Sequence, residues 1–499
     1  MPAYTDQLRA EIEGRYPVPR ESKVRDQIIV HRAFRESNKD LLRPAGWSKG
    51  MTENDGVRDY IVDPLGERIP QVWSDMLFGE EPSFIPVESG DANRMAEMVN
   101  ANDLTSELQR AEEICSSEGE VWWRVMQDDT LGHARVEWHS RMVVVPLWVG
   151  TKAVAVAYVS ELERTDKVVW RYVEIHEAGW VTRLLYEGRV NVDKIGEARG
   201  LDARPETQDW EAEWNHGFDM LAGRVVNRLG TDPKFGISDY AGLEDLLLAL
   251  NETTTIGQEN ARLTAKQRAI LPQRFLDTQG NFPRGAEILV ATEVDQDPEK
   301  VKNQVAMVEF EFDANALIAY IEHITDRILT RARVAPQLVG RHTEGAQTGP
   351  ALRARVLDSI LAAQGKGKPW DDQVPHQLRL MIQIERDIMG IPWAKTNEDP
   401  TFRRTEALPE DAESKARRLA IEINAEMLSR KTAIAMAHPE WDAQRVQAEV
   451  DQIMKELGND APAPDNPVPP VGPGNQPIIE KTPATGEKEE RRDGPNGKR

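Results

Sequence analysis

Beyond residue 237 the chain carries two long apolar stripes at helical spacing, and these limit the possible folds more than any other feature. Leu243, Leu246, Leu247 and Leu250 fall on one helix face. A helix over 238–266 would be about 40 Å long, well beyond the average. Its expected start is Ser238, Asp239 and Tyr240, with Ser238 or Asp239 as N-cap. A second helix is expected over 312–335, with Leu317, Ile318, Ile321, Ile324 and Ile328 as its stripe, Asp313 as N-cap and Pro336 as its stop. Between them, 267–311 mixes turn residues with short apolar runs and reads as a small compact insert. It closes on a strand in which Val308, Phe310 and Phe312 alternate with Glu309 and Glu311.

A chain of 499 residues is too long for one core, and its 40% hydrophobic content lets most of it fold. Residues 1–237 read as α+β. "LTSELQRAEEICSSEGEVWWRVM" is a helix running into a strand. "ARVEWHSRMVVVPLWVG", "AVAVAYVSELE", "VVWRYVEIHE" and "WVTRLLYEG" follow as strands of one antiparallel sheet, β-rich over 120–190. Downstream, 336–405 holds a glycine-rich loop and a third helix. Pro350 sits in that helix's first turn, and Leu352, Val356, Ile360 and Leu361 form its apolar face. "GKGKPW" (Gly365 to Trp370) is expected to break or kink it. Residues 406–458 read as three short helices with Ser429 and Asp442 as N-caps and Gly458 as a stop. The Pro-, Gly- and charge-rich stretch 459–499 is expected to be disordered. The fold class is therefore α+β, mainly helical.

The formal charge of -22 argues against a passive nucleic-acid or anionic-membrane binder, which would cluster Lys and Arg. The single cysteine, Cys115, excludes an internal disulfide and reads as a small packing residue. The charged start "MPAYTDQLRAEIEGRYP" resembles neither a secretory signal nor an anchor, and no apolar run reaches membrane-span length, so a cytoplasmic origin is expected.

"GRHTEGAQTG" begins at Gly340. Gly340 and Gly345 have the spacing of a phosphate-binding loop, but Ala346 and Gln347 stand where its Lys and Ser/Thr belong, so neither a cation for the phosphates nor a magnesium ligand is supplied. His139, His176, His323 and His342 show no helical i, i+4 pairing and read as surface or packing residues. In "EIHEAGW", Glu174 and His176 share a strand face while Glu177 points away, which reads as a solvated strand end. No acid and base are singled out, and no cofactor or metal site is expected. The chain does not read as an enzyme.

The order of the parts carries a resemblance. "NRLGTDPKFGISDYAGLEDLLLALNETTT", an insert, "FEFDANALIAYIEHITDRIL", and then "APQLVG" with "GAQTGPALRARVLDSILAA" resemble the portal proteins of long-tailed bacteriophages. The match rests on Gly236, Ser238, Asp239 and Tyr240, then on Pro336, Gln337 and Gly340, then on Gly349, Ala351, Leu352 and Arg353, with Thr348 departing from the usual small residue. It is best from Val225 to Gln364. The resemblance implies a portal fold of wing (1–237), stem (238–266), clip (267–311), stem (312–335), wing with tunnel loop (336–405) and crown (406–458). Such chains assemble as a dodecameric ring around a DNA channel. Long apolar stripes agree with this, since neighbours can bury them and a head-to-tail contact can close into a ring.

By the same resemblance Gly340, Arg341, His342, Thr343, Glu344, Gly345, Gln347 and Gly349 form a tunnel loop facing double-stranded DNA, which an acidic protein would grip weakly. The implied partners are a terminase packaging motor, a head-tail adaptor, and the major capsid and scaffolding proteins, with no membrane. The implied place is the portal vertex of the virion, reached after assembly in the host cytoplasm. Two other readings stay open: a monomeric adaptor or scaffold, which predicts no ring, and a degenerate nucleotide-binding enzyme, which predicts ATP binding.

Overall fold

The computed structural model describes residues 3–44, 60–128, 130–264, 268–272, 287–291, 306–308, 313–341, 354–405, 419–423, 425, 427–437 and 443–459. The chain divides into two compact units, residues 1–409 and 410–499. The first is α+β.

Helix α1 (Thr5–Gly14) lies on a six-stranded antiparallel sheet. That sheet runs in the order β4 (Val144–Val149), β5 (Lys152–Arg164), β6 (Val168–Glu177), β7 (Trp180–Arg189), β8 (Glu197–Arg199), and β9 (Glu213–Asn215) also pairs with β7. Leu8 and Ile12 of α1 pack on Val145, Ala157, Val173 and Ile175, the inward alternate positions of three strands. Glu177 closes the contact by accepting the N–H groups of Ala3, Tyr4 and Thr5 at 2.6, 2.8 and 2.9 Å, which caps the start of α1. "EIHEAGW" is thus not a solvated strand end, because Glu174, His176 and Glu177 are all buried. Glu174 accepts from Arg124 at 2.5 Å, and burial drives the His176 imidazole down to about 3, so it packs as a neutral ring.

The larger core belongs to a second, three-stranded sheet and its helices. The strand order is β10 (Ala222–Val226), β2 (Glu120–Asp128), β3 (His133–Ser140). Helices α2 (Ser22–Arg35), α3 (Lys39–Leu42), α4 (Leu65–Phe78), α5 (Ala92–Ala101) and α6 (Leu104–Glu118) precede β2, and the short strand β1 (Ser83–Ile85) pairs with β14 (Thr401–Arg403). β2 is buried on both faces from Glu120 to Val125, with Glu120 and Arg124 held in ion pairs on the face of Trp122. Trp122 meets Trp148 of the other sheet at 6.2 Å between rings, while the indole N–H of Trp123 donates to Gln373 at 3.2 Å.

Two sheets replace the single one expected. The stretch read as one strand, Ala134 to Gly150, splits at a 3-10 turn, Arg141–Val143. Ser140 caps the turn by accepting the Met142 N–H, and the buried Arg141 guanidinium is held by Glu21 at 2.5 Å and Glu120 at 3.3 Å, so the chain must leave the first sheet there.

The two long helices are present with altered limits. α7 is Glu244–Thr264 and α8 is Ala314–Ala332. A side chain at Gly242 would overlap Arg331, and one at Gly257 would overlap Leu317, so the helices lie antiparallel in close contact. Leu243, Leu247 and Leu250 are buried, as are Ile324 and Ile328, but Ile318 is 53% exposed and leaves the expected stripe. Between the helices, β11 (Arg268–Pro272) pairs in parallel with β12 (Glu287–Ala291) and antiparallel with β13 (Ala306–Val308). Phe310 and Phe312 lie outside the described residues.

The third helix, α9 (Leu357–Asp387), runs unbroken through "GKGKPW" for 31 residues, with Pro369 and Pro375 inside it. Its tertiary contacts outweigh the local breakers. Lys366 and Trp370 both reach buried partners across the core, and Gly367 lies against the Arg404 guanidinium, which is itself paired with Asp371 at 2.8 Å. Leu361, expected on the apolar face, is 53% exposed. Pro350 and Leu352 lie outside the described residues.

The second unit contributes α10 (Arg430–Ala437) and α11 (Ala443–Asn459). Ser429 caps α10 by accepting the Thr432 N–H at 3.1 Å, and α11 runs one residue past Gly458. Asp442 and the tail beyond Asn459 lie outside the described residues.

Candidate functional site

The segment Gly236–Tyr240 does not start a helix. Gly242, at φ +76°, interrupts the chain before Glu244, and the residues expected as caps serve instead as anchors. Gly236 lies against Gly119 so closely that a Cβ would overlap the Gly119 carbonyl. Ser238 Oγ donates to the Ser117 carbonyl at 2.6 Å and accepts the Tyr240 N–H at 3.0 Å. Tyr240 is fully buried against His31 and Phe34, and its hydroxyl donates to the Gly66 carbonyl at 2.6 Å.

Asp239 is the centre of the arrangement. Its carboxylate accepts from Ser116 Oγ at 2.6 Å, Asn227 Nδ2 at 3.1 Å and Lys366 Nζ at 2.5 Å. Lys366 also donates to Asn227 and sits 5.0 Å over the Trp73 ring. Five stretches of chain meet here: α4 through Trp73, the end of α6, the end of β10, the Gly236–Tyr240 turn and the middle of α9. Beneath them Glu112 accepts the Trp370 N–H at 2.8 Å, and burial pushes its carboxyl up to about 7. Cys115, beside it, is fully buried with its thiol toward the Val225 carbonyl at 3.7 Å, and burial raises its pKa. Where α7 enters the core, the N–H groups of Asp63 and Ile61 donate to Asn251 and Thr255 at 2.8 and 3.0 Å. The first half of α7 is thereby held rigidly to the body.

Replacing Tyr240 by Phe removes one hydrogen bond and leaves the buried Gly66 carbonyl unmatched. A loss of about 1–2 kcal/mol is expected, read from the denaturant midpoint at constant m-value.

The root of the glycine-rich loop is similarly pinned. Asp313 caps α8 by accepting the Ala316 N–H at 2.9 Å, and α8 ends at Arg333, in the left-handed region at φ +58°. A 3-10 turn, Pro336–Val339, leads to Gly340 at φ +77°. Arg341 turns back on α8 and pairs with Asp326 at 2.8 Å. On the returning side Arg333 and Asp358 pair at 2.7 Å, and Ser359 Oγ accepts the Ala335 N–H while donating to the Arg333 carbonyl. His342, Thr343, Glu344, Gly345, Gln347 and Gly349 lie outside the described residues.

Sequence reasoning singled out the turn but not its partners. Glu112, Ser116, Gly119, Asn227 and Lys366 are dispersed over the chain at no motif spacing, and Lys366 lay inside the stretch read as a helix break. Among the described residues no group of three or more His, Cys, Asp or Glu is placed to hold a metal ion, and no helix is long and apolar enough to cross a membrane.

No family model matches the sequence, and no curated protein matches it. Among solved structures, the chain is similar to one from the neck of a native GTA particle computed with C12 symmetry. The two are 11% identical over 75% of this chain and 89% of that one, with a TM-score of 0.41. It is also similar to a chain from the neck of an empty GTA particle computed with C6 symmetry, at 11% identity over 81% of this chain and 98% of that one, again with a TM-score of 0.41.

Proposed function

We propose that this chain is a portal subunit. Copies form a ring-shaped channel at one capsid vertex, through which the genome is packaged and ejected without catalysis by the ring itself. The observation that carries the reading is the antiparallel arm, α7 and α8, rooted in a rigid α+β body at the Gly236–Tyr240 turn. It leads to a separate small sheet and returns directly to the loop at Gly340. This is the sequence order of stem, clip, stem and tunnel loop, and a clamped root is what a helix pair needs to hold a fixed angle in a ring. Ile256, Ile318 and Tyr320 remain exposed on the arm at 45, 53 and 53%, apolar surface that neighbours in a ring would cover.

In this role the small sheet docks the terminase motor and later the head-tail adaptor, the body contacts capsid and scaffolding proteins, and the loop meets passing DNA through few charges. Arg341 is available to phosphate only by exchanging its exposed partner Asp326, a pairing of small worth. The test is electron microscopy of the purified chain, with light scattering on the same sample. Rings with a central hole and a mass of many subunits are expected. Monomers that remain monomeric when scaffolding and capsid proteins are added would overturn the reading.

A further inference from the structure

β10 is an edge strand, and no described strand pairs with its outer edge; Ala222 at its start is buried against Trp148 and Ala153 of the β4–β5 hairpin, while Arg224 and Val226 are part-exposed. The pairing with β2 uses alternate residues. Val125 N–H donates to the Leu221 carbonyl and Asn227 N–H to the Gly119 carbonyl, which puts Gly223 and Val225 in the hydrogen-bonded positions between them. The N–H and C=O groups of Ala222, Arg224 and Val226 therefore point away from β2. One step further on, the same outward side is already in use, since Ile237 N–H donates to the Arg228 carbonyl at 2.8 Å. Among the described residues nothing does this for Ala222, Arg224 or Val226.

These three residues instead form the floor of an open cleft of about 1090 Å³. One wall is the β4–β5 hairpin, with Trp148 and Lys152; the other is α9, with Lys368 and Gln373. In a chain with 84 acidic and 62 basic residues, the cleft has the opposite sign. Lys152, Arg228, Arg331 and Lys368 line it and pair with no described carboxylate, while Asp239 is engaged by Lys366. The Trp73 indole N–H, 1% exposed, and the Trp148 indole N–H also border it without a hydrogen-bond partner among the described residues. An unpaired strand edge, an open slot beside it and an excess of donors and cations together define a site for an extended acidic segment, bound by main-chain pairing.

We propose that the occupant is an extended acidic segment of a second copy of this chain, added as a fourth strand beside β10. The inference rests on the portal reading and deepens it by naming the contact between neighbours. Such a contact is heterologous: the donor of the strand keeps its own β10 cleft free for the next copy, so the contact propagates head to tail until the ring closes.

The test is hydrogen–deuterium exchange at residue resolution, comparing assembled and monomeric fractions of the full chain. The amides of Arg224 and Val226 are expected to slow by at least about tenfold on assembly, while Gly223 and Val225 are protected in both states. Val226→Pro removes an outward N–H without touching the β2 ladder, and Lys152→Glu with Lys368→Glu reverses two exposed charges. Each is expected to raise the concentration needed for assembly by at least about tenfold, with an unchanged circular dichroism spectrum. Rings that form while the Arg224 and Val226 amides exchange as in the monomer would overturn strand addition and leave the portal reading standing. Protection already complete in the dilute monomer would also overturn it, by showing that the edge is covered within one chain. A monomer under all conditions would remove both.

Discussion

Asp239→Ala is expected to destabilise residues 1–409 by about 3–5 kcal/mol, the cost of breaking a buried ion pair by removing one partner. The side chains of Asp239 and Lys366 are only 11 and 10% exposed, so removing the carboxylate leaves an ammonium group among Asn227, Trp73 and the end of α6 without its hydrogen-bonded anion. Ser116 and Asn227 lose an acceptor in the same step. The measurement is urea unfolding followed by tryptophan fluorescence, which is well placed because Trp73 lies directly under Lys366. Adding Lys366→Met to Asp239→Ala should restore most of the loss, since the stranded charge is then gone and the aliphatic replacement packs on Trp73. A loss below about 1 kcal/mol in the single variant would show that Lys366 reaches water and that the cluster is not what holds the root of α7.

Glu112 should govern a pH dependence of the opposite sense to ordinary acid unfolding. Burial raises its carboxyl from 4.5 to about 7; Lys366, the Trp370 N–H and Arg404 oppose the shift, and Asp239 adds to it. Between those two values the native state holds a proton that the unfolded chain has released, so native stability from this group falls as pH rises. The fall amounts to about 3 kcal/mol and is complete above pH 7. Glu112→Gln keeps an oxygen to accept the Trp370 N–H and removes the titration. Its stability relative to the parent should therefore climb by about 3 kcal/mol from pH 4.5 to pH 8, and it should be the more stable protein at pH 8. Parallel stability curves for the two proteins would mean that Lys366 keeps Glu112 ionised throughout.

Both effects converge on one physical picture. The turn Gly236–Tyr240 is a clamp that joins α7 and α8 to the body through buried polar groups, each matched by a specific partner. Groups of this kind are costly when half satisfied and rigid when complete.

The helical stripes from Leu243 and from Ile324 were legible because the period of 3.6 residues is written in neighbouring positions, and the strands from Lys152 to Arg189 were legible for the same reason at period two. Misreadings arose where a local signal met a distant partner. The β-favouring run around Arg141 reads as one strand until Glu21 and Glu120 bury its guanidinium. "GKGKPW" reads as a helix break until Lys366 and Trp370 are anchored. Ser238 and Asp239 have the chemistry of caps, and they spend it on Ser117, Ser116 and Lys366 instead.

Composition, periodicity and the order of short motifs were enough for the mixed fold class and for the sequence of helix, small insert and helix, because each of these depends on residues close together in the chain. The clamp, the division into two sheets, the unbroken α9 and the open edge of β10 were decided only in three dimensions. The clamp, the split of the sheets and the unbroken α9 depend on which buried charge finds which partner across more than a hundred residues, and burial turns the same Asp, Lys or Glu from a solvated side chain into a constraint on the fold.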